Sequence, residues 1–306
     1  MSGKSHPIKA SGSLSNYGRA FKVGAIVPLV IVLAVFSVYP LIQLFFMSFA
    51  KITISGSARL WEWVGLENYV RMFADAGFWT AVGNTLIYVF VSMGVEIFLG
   101  LSLALLTTKI KRGAGLYRTI LMLPLLVPPI AIATSWRLIY NANFGLINKL
   151  SISLGWGQQY WLSEPRAALP AVIAVSVWYW TAYSFILLLA GLQNIPHEIY
   201  ESASIDGANG RQKFLRMTLP LLKPALAVTI MFRAVNAFKV FDIVYALTGG
   251  GPGLATEVIN TYVYNIFISQ QRLGYGASLA TTAIVLVGAI ALTYSKASGV
   301  QRGVRV

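Results

Sequence analysis

Six stretches of this chain are long and apolar enough to cross a bilayer, and that constrains its fold more than any other feature. They lie at about 24–48, 82–107, 117–140, 168–191, 224–247 and 276–295. A helix needs about 20 apolar residues to span about 30 Å of hydrocarbon. Inside that layer every backbone N–H and C=O must be satisfied within the segment, so each run reads as a helix. Charged residues make up only 11% of the 306 positions, where a soluble domain carries about 25%. The expected fold is therefore an all-α integral membrane protein with about six transmembrane helices. Residues 1–23 form a polar tail, 24–295 the membrane domain and 296–306 a second tail. The run from Val23 to Phe49 is about twice the length of a signal-peptide core and lacks a small-residue cleavage site, so it reads as a retained first span. The segment GLENYVRMFADAGFWTAVGN, residues 65–84, is amphipathic and reads as interfacial.

The positions of Lys and Arg orient these spans. Fifteen fall in the tails and in the loops near 108–118 and 193–223, against six in the alternate loops. Those six are nearly balanced by Glu62, Glu67, Asp75, Glu164 and Glu257. The positive-inside rule then places both termini in the cytoplasm. The net charge of +14 is thus a topology signal, and no nucleic-acid partner is implied. The absence of cysteine removes disulfides, thiolate metal sites and cysteine nucleophiles. His6 and His197 cannot make a metal site between them, and no convergent set of acid, base or metal ligands suggests an enzyme. GGGPG at 249–253 lacks the Gly-Lys-Ser/Thr of a phosphate-binding loop and reads as a turn in the loop after span five. An ion-coupled secondary transporter would need an intramembrane carboxylate, and Glu96 and Asp242 are the candidates.

Between spans four and five the apolar pattern gives way to YESASIDGANGRQKFLRMTLPLLKPAL, residues 200–226. Its local chemistry describes two short helices with a break. Pro196 suits a first helical turn, and Glu198 and Glu201 favour the positive end of the helix dipole. Gly207 falls where a left-handed residue is wanted past a helix end. Asn209 and Gln212 have the spacing of a capping box, which starts a second helix. Pro220 and Pro224 are expected to end that helix and launch span five. Ser202, Ala203, Ser204 and Ala208 allow another surface to approach the backbone closely. On physical grounds alone the segment reads equally as a solvated loop or as a docking surface.

The residues Glu201-Ser202-Ala203, Gly207, Met217 and Leu219-Pro220 resemble the signature of the permease subunits of binding-protein-dependent ABC importers. Ser202 and Met217 depart from the usual Ala and Ile while keeping the small and apolar character. The resemblance runs from about residue 25 to 295. It includes GLENYV, GNTLIY, RTILMLPLLVPP, WRLIYNANFGLIN, AGLQNIPHEIYESA and FDIVYALTGGGP followed by ATEVINTYVY. Together these look like the sugar-type permeases, similar to the first membrane subunit of maltose and glycerol-3-phosphate importers. The resemblance implies a subunit of a bacterial cytoplasmic membrane importer that performs no covalent chemistry and binds no cofactor directly. It would pair with a second, homologous permease, with two ATPase subunits carrying ATP and Mg, and with an extracytoplasmic solute-binding protein. The 193–223 loop would be the coupling segment seated on the ATPase, with Glu201, Ser202, Ala203, Asp206, Gly207, Arg211, Leu219 and Pro220 as its working residues. Closure of the ATPases would then carry spans four and five with it.

The family places its sugar site midway across the membrane along span five. Asn236, Lys239 and Asp242 there are expected to project to one side, and Trp180 and Tyr183 of span four present polar-edged aromatic faces suited to sugars. Trp178 lies beside them, and all three aromatics also read as ordinary bundle packing. Ala237 and Val240 stand where the maltose system has amides, which leaves the solute open. Lys239 and Asp242 are read as paired or as solute contacts. Arg137 and Arg233 are expected near enough to an interface to snorkel. Pro124, Pro128 and Pro129 are expected to kink span three.

Overall fold

The computed structural model describes residues 19–55, 58–110 and 112–297, so most of both terminal tails lies outside the described residues. Span one is α1 (Arg19–Leu33), a π turn (Ala34–Val38) and α2 (Tyr39–Ser48). A two-stranded hairpin follows, β1 (Ala50–Ser55) and β2 (Ala58–Trp63), with Ala50 opposite Trp63 and Ser55 opposite Ala58. The sequence reading does not include this hairpin, although KITIS carries the period-two alternation of a half-covered strand. Next come α3 (Glu67–Ala74) and α4 (Ala76–Lys109), the long helix of span two. Residues 65–84 do not form one separate element: the amphipathic part is α3, and the rest belongs to span two. Asn68 and Met72 of α3 are buried, and Met72 packs with Phe78, Ile266, Tyr275 and Leu279. Residues from Ala76 onward already belong to α4 because the Asp75 carboxylate caps it, accepting the Gly77 N–H at 2.9 Å. Asn68 ties this layer to the hairpin by donating to the carbonyls of Ser48 and Ala50 at 3.0 and 3.1 Å.

Span three is a broken element. Helix α5 (Ala114–Met122) passes through a 3-10 turn (Leu123–Leu126), and α6 (Pro129–Ile139) leaves at 93° to it. The three prolines therefore do more than kink the span. Pro128 and Pro129 remove two consecutive donors, and the residue before each is pushed out of helical geometry. A short α7 (Leu146–Ser153) precedes α8 (Pro165–Gln193), which is span four. The connecting segment holds α9 (His197–Ile205) and α10 (Gly210–Lys213). A π turn (Phe214–Thr218) then runs straight into α11 (Leu219–Phe238). The expected single span at 224–247 is corrected as well. Helix α11 stops at Phe238, and a separate α12 (Asp242–Leu247) follows. The chain closes with α13 (Ile259–Tyr264), a π turn (Asn265–Ser269) and α14 (Leu273–Ala297), the last span.

The core is the packing of α4, α8 and α11. Gly100 of α4 sits so close to α8 that a Cβ there would lie 2.8 Å from Ser184 Cβ. Gly191 of α8 meets α11 in the same way, 2.5 Å from Ala225 Cβ. Lipid tails supply no hydrophobic drive between helices, so close backbone approach at small residues is what holds such a bundle together. One apolar cluster gathers Val172, Val175, Ile243, Val244 and Leu247, and a second gathers Phe185, Leu188, Leu192 and Leu222. Span one stays outside this core, with its apolar window unburied, and touches it through α2 against α14, where Met47 and Ala277 pack.

Candidate functional site

The segment between spans four and five has the local build its sequence implied. Helix α9 ends in a Schellman turn: Ala208 N–H donates to Ala203 O at 2.9 Å and Gly207 N–H to Ser204 O at 3.2 Å. Gly207 closes it at φ +76°, a left-handed conformation that costs an L-residue about 1–2 kcal/mol. The capping box is present in full. Asn209 N–H donates to Gln212 Oε1 and Gln212 N–H to Asn209 Oδ1, both at 2.9 Å. Lys213 Nζ bridges back to Ser204 Oγ at 2.6 Å, so the two short helices form one unit. Ala203 is the member of this set turned inward, while Glu201, Ser202, Asp206, Gly207 and Arg211 face outward. At the tip stands Ile205, 86% exposed.

Two expectations here are corrected. Pro196 is the N-cap of α9, in extended backbone, and not its first helical residue. Pro220 and Pro224 do not end the second helix: Gly210–Phe238 is continuous, with Pro220 just inside α11 and Pro224 within it. The π turn explains how. Leu219 N–H reaches back to Phe214 O, and this widened turn accommodates the missing donor and the ring bulk of Pro220.

At the middle of the bundle the structure joins residues that sequence reasoning kept apart. Arg233 of α11 donates from Nε to Glu96 Oε2 of α4 at 2.8 Å, and its Nη2 lies 2.6 Å from the same oxygen. Both side chains are 0% exposed. Ser176 donates to Glu96 Oε1 at 3.2 Å, and Tyr88 shares a 2.6 Å hydrogen bond with Ser176. The guanidinium lies over the Trp180 ring at 4.3 Å. Arg233 therefore does not snorkel. It is buried where its charge is neutralised, which a low-dielectric site requires. Trp180 gives one face to that cation and packs edge-on with Tyr183 at 5.9 Å. Trp178 packs edge-on against Trp136 at 5.6 Å.

The expected common face of Asn236, Lys239 and Asp242 is interrupted. Asn236 Nδ2 donates to the carbonyl of Phe232 at 2.8 Å. Lys239 is the C-cap of α11 and Asp242 opens α12, with Val240 and Phe241 outside both helices. Among the described residues the ion pairs are Lys51–Glu62 and Arg233–Glu96, so Lys239 and Asp242 do not pair. Both are exposed. The break between them is clamped by Asn260 Nδ2, which donates to Phe238 O at 2.9 Å and Val240 O at 3.1 Å. Phe241, Tyr245 and Tyr264 form an aromatic cluster beside it, with ring centroids 5.1–5.3 Å apart. FDIVY and INTYVY were read only as motifs; aromatics flanking an unwound span were the signal that would have found this cluster.

Residues 96–299 match the model of the family described as binding-protein-dependent transport system inner membrane component. The chain belongs to this family. Over 286 residues it is 38% identical to the trehalose/maltose transport system permease protein MalF of Thermococcus litoralis, covering 93% of this chain and 96% of that one. It is 31% identical to the arabinooligosaccharides transport system permease protein AraP of Bacillus subtilis, covering 98% and 97%. Among solved structures it superposes with a TM-score of 0.80 and 25% identity on a chain of a bacterial ABC transporter involved in the import of the acidic polysaccharide alginate, covering 94% and 97%.

The glycine-rich loop after α12 is a built turn. Gly249, Gly250 and Gly253 all have positive φ. Gly250 leaves no room for a side chain because the Glu257 carboxylate lies against it. Burial raises the pKa of Glu257 above the usual carboxylate range, against hydrogen bonds from Thr261 and Asn265. Asn84 of α4 ties the loop down by donating to Leu254 O and Glu257 O at 2.9 and 3.0 Å. Nearby, burial would raise the pKa of Asp75, but the hydroxyls of Tyr262 and Tyr275 and the Gly77 N–H outweigh it and hold the carboxyl below its ordinary value.

Proposed function

We propose that this multi-pass membrane protein is the permease subunit of an ABC importer for a sugar or sugar-related solute, and that the α9–α10 unit receives a separate ATPase subunit. The observation that carries the second part is Ile205. A large apolar side chain 86% exposed at the tip of a hydrogen-bonded helix pair fits a knob awaiting a groove. Glu201, Asp206 and Arg211 surround it without ion pairs among the described residues. Relatives whose printed roles are trehalose/maltose and arabinooligosaccharide transport support the solute class, and a neighbour crystallised with a pentasaccharide-bound periplasmic protein supports an external binding protein. A second, homologous permease and two ATPases holding ATP and Mg complete the assembly, with both termini of this chain in the cytoplasm of a bacterial cell. The solute is read to pass at the span-five break, against Tyr183, Asn236 and the Phe241, Tyr245 and Tyr264 rings.

Glu96 is held by Arg233, while Asp242 is exposed and in no ion pair among the described residues, so the choice of ATP over ion coupling rests on the family match. Uptake into reconstituted vesicles should stop with vanadate and persist with an uncoupler. Gly207→Val should strain the Schellman turn and Ile205→Ser should remove the knob. Either variant should reach the membrane at near-normal levels yet recover several-fold less ATPase subunit on purification. Wild-type recovery together with wild-type stimulation by loaded binding protein would overturn the docking assignment.

A further inference from the structure

A cavity of about 680 Å³ opens between the ends of α4, α5 and α8 and the α9–α10 unit. Lys109, Arg118, His197 and Lys213 line it, and among the described residues no carboxylate does. None of its cations is in an ion pair among the described residues. Arg118 is already oriented. With the Gln193 amide oxygen turned toward it, Nη2 and Nη1 donate at 2.9 and 3.3 Å. Its Nε is buried with no hydrogen-bond partner. A desolvated charged donor without an acceptor is costly, and such groups in native proteins point to a partner that completes the site. The remaining wall mixes hydroxyls of Tyr200 and Thr218 with apolar Leu192 and Phe214.

We infer that this crevice binds a phosphate-bearing anion, and that its occupancy braces the coupling segment against spans two to four. Cations outside any ion pair and an apolar flank at the ends of membrane helices match the chemistry by which basic pockets between spans hold phospholipid headgroups. A guanidinium suits the tetrahedral oxygens of phosphate. The same chemistry would serve a free phosphate compound. The bracing role rests on the proposed function, since it assumes that α9 and α10 transmit motion; the anion site does not.

The test uses the purified full-length chain with its partner subunits. Thermal stability is followed while titrating phosphatidylglycerol into phosphatidylcholine vesicles, and separately while titrating inorganic phosphate in detergent. Phosphatidylglycerol should stabilise the wild type at about tenfold lower content than it does Arg118→Gln, the change expected for one charge-assisted contact. Lys109→Gln should shift the same way by less, and Arg118→Lys should restore part of the response. Stabilisation by inorganic phosphate alone assigns the site to a free phosphate ligand. Equal responses in wild type and Arg118→Gln, or none to either anion, overturn the proposal. Loss of ATPase subunit from Arg118→Gln with no anion response overturns it in favour of a protein carboxylate. Failure of the permease reading appears elsewhere, as wild-type vesicles without vanadate-sensitive uptake, while the anion titration keeps its own answer.

Discussion

The buried Arg233–Glu96 contact is the residue-scale feature with the largest energetic stake. Removing one partner strands a charge in the bundle at a cost of about 3–5 kcal/mol, whereas replacing both by apolar residues is often neutral. Glu96→Leu and Arg233→Met alone should each lower the melting temperature of the complex, and the double variant should regain most of the loss. Additive losses in that double-mutant cycle would refute the pairing. How much of this scale was legible depended on sequence distance. Gly207, Asn209 and Gln212 could be placed because a Schellman turn and a capping box are specified by residues within one helical turn. Glu96 and Arg233 lie 137 positions apart, and only the helix packing brings them together. An acid alone in span two and a base deep in span five were the available hint.

At the scale of elements, hydropathy located the spans but not their continuity. A window average responds to composition, and ALAVTIMFRAVNAFKVFDIVYAL averages apolar whether or not the helix breaks at Lys239. What breaks it is tertiary. Asn260, on α13, offers both amide hydrogens to the carbonyls of Phe238 and Val240, which replaces the bonds that a continued helix would have supplied. Asn260→Leu should leave those carbonyls unsatisfied at a cost of about 1–3 kcal/mol each. The expected outcome is a permease that still assembles but transports solute several-fold more slowly, measured in vesicles; unchanged transport would show that the clamp does not shape the route. The hairpin at 50–63 was overlooked for the opposite reason. Its alternation is short and follows a strongly apolar span, so the longer signal masked it.

At the scale of the whole molecule, the charge asymmetry of the sequence predicts the orientation. A reporter fused after Ser298 should lie in the cytoplasm and one inserted near Gly253 outside; exchanged locations would sink the orientation used throughout. The continuity of Gly210–Phe238 then acquires a mechanical meaning. Its 29 residues make a stiff rod about 43 Å long at 1.5 Å per residue. One end is fixed in the α9–α10 unit and the other lies at the Asn260 clamp. Such a rod acts as a lever: a tilt of about 5° about its midpoint displaces each end by about 2 Å in opposite directions. That is enough to open or close a hydrogen-bonded break without unwinding any helix. The π turn at Phe214–Thr218 interrupts the regular hydrogen-bond ladder near one end of it. Replacing Met217 and Thr218 together with glycine should turn the lever into a loose joint. Solute-stimulated ATP hydrolysis should then fall several-fold while the ATPase remains bound, and force would reach the break only as slack.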